Sequence, residues 1–400
     1  MLSVIHVLGS MLMMFSMTYA LPVATTVLYQ DGHLGDFLIA AASCLVTGGV
    51  LWRVTLPHKR ELRSRDGFLL VTLGWILMSA IGSIPLLVAL PGLSFTDAFF
   101  ETLSGLSTTG ATVLVGIEHL PPSINLWRHA LQWYGGMGII VLVVAILPLL
   151  GVGGMQMYKA ETPGPMKTDK LTPRIAQTAK ALWFVYFLIT VACIVALHVA
   201  GMEWFDAICH AFSTLSLGGF STYDASVGHF ESPHIEAVLI VFMLIAAMNF
   251  SRHFIAWQKK SLRTYLTDVE ARTLLLLVGL STLGLAIYVW ILGVYESFWT
   301  ALRHVAFNLV SIATDCGFAS QDYAAWPMLA PIWILMLSCY SANTGSTGGG
   351  IKMFRTLVLF KQATREMLML VHPAAVAPVR VGGQVVQNQV VFAVLAFVVL

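Results

Sequence analysis

Three stretches of the chain place a glycine among small or polar residues directly behind an apolar run. They are "FTDAFFETLSGLSTTGAT" around Gly110, "WFDAICHAFSTLSLGGFS" around Gly219 and "LRHVAFNLVSIATDCGFA" around Gly317. The chemistry such a turn can do is to replace water around a cation. An ion that sheds its hydration shell needs several oxygens facing it at once, and main-chain carbonyls supply them if successive ones aim at one axis. That arrangement requires φ values closed to most side chains and open to glycine. No ring of carboxylates is needed, and the turns themselves hold only Asp315.

Lined up on the glycines, the stretches agree beyond the turn. Asp97 and Asp206 both stand thirteen residues earlier, and Ser107, Ser216 and Thr314 stand three earlier. Gly110 and Gly219 are 109 residues apart, and Gly219 and Gly317 are 98 apart. Repetition at this length takes precedence over any local motif. One such turn is an ordinary loop; three in register, each behind a short apolar segment, define a unit. The segment from Asp97 to Ser107 is about eleven residues, ~16 Å as a helix, half the thickness of a bilayer. It must dip into the membrane and return on the same side, which irregular backbone tolerates only inside protein or beside a wet cavity. Its C-terminal end, partly negative, then favours a cation at membrane depth.

The elements that hold these turns are membrane spans. Of 400 residues, 58% are apolar and 10% charged, whereas a soluble domain is about a quarter charged. Apolar runs long enough to cross lie near 2–29, 35–56, 68–91, 124–150, 178–200, 234–257, 270–293 and 328–362. Another starts near 385 and is still running at Leu400, so the chain reads as cut inside a helix. The N-terminus lacks a basic leader, and its run reads as a retained first helix rather than a cleaved signal. All Lys and Arg except Arg128 and Arg303 fall in 53–65, 159–180, 252–272 and 352–380. The positive-inside rule makes these stretches cytoplasmic and puts the glycine turns toward the outside. The outer stretches carry Asp97, Glu101, Glu118, Glu203, Asp206, Asp224, Glu231, Glu296, Asp315 and Asp322, which raise the local cation concentration. The net charge of +2 says nothing about nucleic acid, and with no basic cluster interleaved with aromatics a nucleic-acid partner is not expected. With no carboxylate pair, metal motif or nucleophile–base set in the spans, the chain does not read as an enzyme, and no cofactor is expected.

These residues resemble the TrkH/KtrB superfamily of potassium transporters over nearly the whole chain. The turns "STTGAT", "SLGGFS" and "TDCGFA" are similar to that family's filter loops, "QWYGGMGIIVLVVAILP" from Gln132 to its helix after the first filter, and "MQMYKAETPGPMKTD" from Met155 to its next cytoplasmic loop. "GSTGGGIK" from Gly345 resembles the broken helix after its third filter. Two spans ahead of the first repeat favour the TrkH branch.

The resemblance implies an all-α multi-span protein of span–half-helix–span units around one pore, related to potassium channels. It divides the chain into two extra N-terminal spans (1–60), three pore repeats (61–158, 159–262 and 263–375, the last with a broken second helix) and the start of a truncated fourth (376–400). The implied potassium filter is Thr108, Thr109, Gly110 and Ala111; Leu217, Gly218, Gly219 and Phe220; Asp315, Cys316, Gly317 and Phe318. Sodium-carrying relatives can have serine where this chain has Gly110, so potassium is the expected cargo. Also implied are potassium uptake through a bacterial cytoplasmic membrane, a homodimer with a pore per subunit, a cytoplasmic nucleotide-binding regulator of the TrkA type, and contact with membrane lipid. Passive flux and coupling to protons or sodium both stay open. A second reading is a secondary transporter of a small solute or sodium, binding at the midplane between broken helices.

"SANTGSTGGG", Ser341 to Gly350, lies inside the 328–362 run, which as one helix would be about 50 Å long against a ~30 Å core. Its four glycines, each costing a helix about 1 kcal/mol, must break it. The break is either a plain turn between two short helices or a mobile gate below the filter made of Asn343, Thr344, Gly345, Ser346, Thr347, Gly348, Gly349 and Gly350; the resemblance favours the gate. A phosphate loop is excluded, because GK[ST] and a preceding strand are both missing. Lys352 either replaces an ion at the break or anchors the membrane edge. Gly135, Gly136 and Gly138 read as close helix packing. Arg303 is expected to pair with Glu296 or Asp322, and His210 and His304 to serve helix packing.

Overall fold

The computed structural model describes residues 1–58, 64–141, 175–340 and 342–399. The loop read from Met155 and the end of the 124–150 span lie outside the described residues. The described residues are mostly helical. α1 (Leu2–Phe15) and α2 (Ala20–Tyr29) form one apolar run, interrupted by a 3-10 turn at Ser16–Tyr19. α3 (Leu34–Val54) crosses α1 where Gly9 meets Gly48, so closely that a Cβ on either would lie within 3 Å of the other's carbonyl oxygen. Small residues permit such a crossing in lipid, where packing rather than water drives association.

A long helix, a short helix, an extended turn and another helix then follow three times. The first set is α4 (Ser64–Gly82) with its continuation α5 (Ile84–Ala89), α6 (Phe95–Leu106) and α7 (Pro122–Val141). The second is α8 (Ile175–Val199), α9 (Trp204–Ser216) and α10 (Pro233–Ala247), extended by α11 (Phe250–Lys259) and α12 (Arg263–Leu266). The third is α13 (Val269–Ile291), α14 (Phe298–Ala313), α15 (Leu329–Ser338) and α16 (Met353–Val371). A two-stranded hairpin, β1 (Arg380–Val381) with β2 (Gln384–Val385), leads to α17 (Asn388–Val399).

Burial is inverted relative to a soluble protein. The apolar spans bury only 22–39% of their most hydrophobic windows, and Phe184, Phe187, Leu276 and Leu280 point outward. Polar groups go inside: in α9, His210, Ser213, Thr214 and Ser216 are all fully buried. The short helices α6, α9 and α14 have 12, 13 and 16 residues, too short at 1.5 Å each for a ~30 Å core. Each sits among other helices: α6 beside α4 and α7, α9 beside α7, α8 and α10, α14 beside α13, α10 and α15. α7 is the inward helix of the first set, with Trp127, Arg128, His129 and Gln132 enclosed.

Among the described residues, two apolar runs read as single spans are broken. α15 and α16 are separated by the glycine run, which leaves the helical path at 342–352. The run 234–257, expected as one span, is instead bent by 98° between α10 and α11. Neither glycine nor proline stands at that bend. Asn249 makes it, because its side chain accepts from Ser251 N at 2.8 Å and starts a new helix.

Candidate functional site

The three glycine turns share one backbone. Thr108, Leu217 and Asp315 have φ of 58°, 54° and 64°, and two residues on Gly110, Gly219 and Gly317 have 75°, 75° and 92°. For the non-glycine residues the left-handed region costs roughly 1–2 kcal/mol each. Strain repeated at the same register in three unlike sequences points to function rather than to chance. Each turn is tied to its own short helix in the same way. The carbonyls of Ser104, Ser213 and Ser311, six residues before each glycine, accept from Thr109 N, Gly218 N and Cys316 N at 2.8–2.9 Å. The amide N–H groups are thereby turned back toward the helix ends.

The turns also adjoin one another in order. A Cβ on Gly110 would overlap the Gly218 carbonyl oxygen, and one on Gly219 would overlap that of Cys316. The Gly218 carbonyl is further held by Gln132 Nε2 at 2.7 Å, while Gln132 Oε1 accepts from Phe220 N at 3.2 Å. This oxygen therefore serves the contact between turns, and not every carbonyl in the turns is free to face an ion. Gln132 was not singled out in the sequence, although a glutamine inside an apolar run must find a partner at membrane depth.

Nine residues before each glycine stands a brace of a different type in each repeat: Glu101, His210 and Asn308. Each holds the segment just past its turn. Glu101 accepts from Thr112 Oγ1 at 3.0 Å and from Val113 N at 3.2 Å. His210 Nε2 lies 3.0 Å from Ser221 Oγ, so this side chain does more than pack helices. Asn308 donates to Ser320 Oγ and accepts from Ser320 N, both at 3.1 Å. Arg128 completes the first brace, 2.7 Å from Glu101 and with its guanidinium 4.4 Å from the centre of the Phe220 ring in the second turn. Arg303 pairs with Glu236 on α10 through two bonds of 2.7 and 2.8 Å. The expected partners, Glu296 and Asp322, are not used; the planar guanidinium takes the carboxylate that faces it across two repeats.

Beyond the turns the post-turn segments are latched in sequence. Asp224 accepts from Gly116 N at 2.7 Å and Ile117 N at 3.1 Å, and these bonds hold its carboxyl below the usual carboxylate range. Gly228 N donates to Ala319 O at 3.0 Å.

The 343–350 loop lies against the opposite side of the second and third turns. Thr347 Oγ1 donates to Leu215 O at 3.0 Å, a Cβ on Gly348 would approach Thr314 O to 3.1 Å, and one on Gly349 would approach Asp315 Oδ2 to 3.4 Å. Lys352 turns into the loop, its amine bonded to the Gly348 carbonyl, rather than outward as an edge anchor. Asn343, Thr344, Ser346 and Thr347 are buried.

Comparison with known proteins follows the same outline. Residues 33–400 match the family described as TrkH, cation transport protein. The chain is 46% identical over 395 residues to the Trk system potassium uptake protein TrkH of Halomonas elongata, covering 98% of this chain and 82% of that protein. It is 44% identical over 400 residues to the protein of the same name from Escherichia coli K12, covering 99% and 82%. The crystal structure of the potassium transporter TrkH from Vibrio parahaemolyticus superposes with a TM-score of 0.90 at 44% identity, covering all of this chain and 82% of that one.

Proposed function

Since the chain belongs to the TrkH cation transport family, we propose that it takes up potassium across a membrane through a pore lined by its glycine turns. It is a transporter and not an enzyme. The single observation that carries the pore reading is the shared backbone of the three turns, left-handed at the glycine and two residues before it, with neighbouring turns in contact. In this reading the filter comprises Thr108–Ala111, Leu217–Phe220 and Asp315–Phe318, and carbonyls of these residues replace the water a potassium ion gives up. The short helices point their partly negative ends toward the same depth, which lowers the energy of a cation there. The basic stretches support an orientation with the turns toward the outside. The 343–350 loop, packed beneath two of the turns, is the gate. The name "Trk system" borne by the relatives supports operation with a further subunit, for which a TrkA-type cytoplasmic protein is the candidate; the same reading takes the protein as a homodimer in a bacterial inner membrane. Potassium is cargo and no resident cofactor is invoked.

The experiment is cation flux into liposomes holding the intact protein, with one gradient set at a time. Replacing Gly219 by serine puts a side chain into the Cys316 carbonyl, so discrimination of potassium from sodium should fall about tenfold or more. Unchanged discrimination would remove the filter reading. A second reading draws on the two broken helices, which secondary transporters use at their binding sites. It predicts flux that saturates with a solute or with sodium and is indifferent to Gly219.

A further inference from the structure

The backbone of Thr344, near the start of the proposed gate, is held on both sides by side chains from other helices. Its N–H donates to Glu270 Oε2 at 2.8 Å, and its carbonyl accepts from Asn249 Nδ2 at 2.5 Å. Glu270 stands in the first turn of α13, and Asn249 caps α11 through its other side-chain atom, Oδ1. The first turns of these two helices are themselves joined. Asp268 caps α13 by accepting from Ala271 N at 2.9 Å, and pairs with Arg252 of α11 at 2.7 Å. The result is a closed circuit: Thr344, Glu270, Asp268, Arg252, Asn249 and back to Thr344.

Around it the two broken helices satisfy each other. Asn343 N donates to Ala247 O at 3.1 Å, Phe250 N to Gly345 O at 3.1 Å, and Thr347 Oγ1 lies 3.4 Å from Ala246 O. At membrane depth each freed backbone group would otherwise go unpaired at a cost of several kcal/mol. The 98° bend is therefore what supplies partners to the glycine loop. The loop cannot leave its place under the turns while the bend keeps its shape.

Resting on the reading of 343–350 as a gate, we propose that Glu270 and Asn249 are positioning residues that latch this loop closed, and that the Arg252–Asp268 pair makes α11 the lever that releases it. α11 is placed for such a role. It lies across the basic side of the fold, buries Phe250, His253, Ile255 and Ala256, and leaves Trp257 half exposed. Tilting α11 moves Asn249 and Arg252 together, and pulls on both bonds to Thr344 at once. The latch leaves the filter turns untouched, so it controls how often the pore is open and not which ion passes.

The test compares the intact protein with Glu270→Ala, Glu270→Gln, Asn249→Ala and Arg252→Met variants in liposomes. Two quantities are measured: amide hydrogen exchange of residues 343–350, and potassium flux. Loss of one hydrogen bond to Thr344 should speed exchange of the loop roughly tenfold in the two alanine variants. Flux should rise with it, at an unchanged potassium-to-sodium ratio. Glu270→Gln keeps an acceptor oxygen for Thr344 N and should return to the parent values. Arg252→Met, which breaks the pair with Asp268, should raise both readings if α11 is the lever. Loop exchange at the parent rate in Glu270→Ala overturns the latch, and faster exchange throughout the protein reduces Glu270 to a structural residue. Parent behaviour of Arg252→Met overturns the lever. Faster loop exchange with unchanged flux keeps the latch and overturns the gate on which it rests.

Discussion

Gln132 reaches from α7 to the second glycine turn and holds it at two points, its amide nitrogen 2.7 Å from the Gly218 carbonyl and its oxygen 3.2 Å from Phe220 N. The contact crosses from the first repeat to the second. The wall of one turn is therefore set by a helix that belongs to another.

Replacing Gln132 by leucine leaves a buried carbonyl and a buried amide without partners, about 1–3 kcal/mol for each. The expected outcome is a protein that still folds, with potassium flux reduced at least tenfold and weaker rejection of sodium. Competition between the two ions in a liposome flux assay checks it. Gln132→Glu keeps the acceptor for Phe220 but sets a carboxylate against the Gly218 oxygen, and should be at least as harmful.

The Glu101–Arg128 pair is enclosed, with side-chain exposures of 0% and 1%. Removing one partner leaves a lone charge inside and should cost about 3–5 kcal/mol. Glu101→Gln and Arg128→Met are each expected to lower thermal stability in detergent markedly. The double variant should lose less than the sum of the two. Simple additivity would show that the ions act separately.

Asp224 gives a pH dependence on the exposed side of the turns. Its carboxyl ordinarily titrates near 3.8 and is held lower by the N–H groups of Ile117 and Gly116. A depressed carboxylate contributes stability above its unfolded value and loses it as pH falls through the folded one. Protection of the Gly116 and Ile117 amides against hydrogen exchange, corrected for intrinsic rates, should be flat from neutrality to about pH 5 and decline below pH 4. In Asp224→Asn the decline should vanish and protection should be low throughout.

Legibility of the molecule from its sequence followed residue type. Glycines at equal register could be found because only glycine serves where φ is positive and a neighbour's oxygen sits in the place of a side chain, as at Gly110 and Gly219. The 343–350 break was equally open to reading, since four glycines cannot continue a helix. The serines at 104, 213 and 311 are identical in all three repeats and gave a usable but overlooked signal. Glu101, His210 and Asn308 could not be matched by type; they share only a distance from the glycine and a task. The α10–α11 bend lies where neither glycine nor proline marks it, and its cause is a capping bond plus a partner loop 95 residues away from Asn249. Arg303 was assigned to carboxylates near in sequence or on its own face, whereas the one it meets is 67 residues distant. Such pairings follow from how repeats assemble, which no local pattern records.

The burial of α7 has a consequence for biosynthesis. An arginine at the centre of a helix in lipid costs about 2.5–3.5 kcal/mol on insertion scales and less toward an end, and α7 carries Arg128 in its second turn, with His129 and Gln132 beside it. Its neutralising carboxylate, Glu101, is translated earlier, on a helix too short to anchor itself. Pairing of α6 with α7 as the second helix is made removes that cost, so the order of synthesis suits the way these two helices pack.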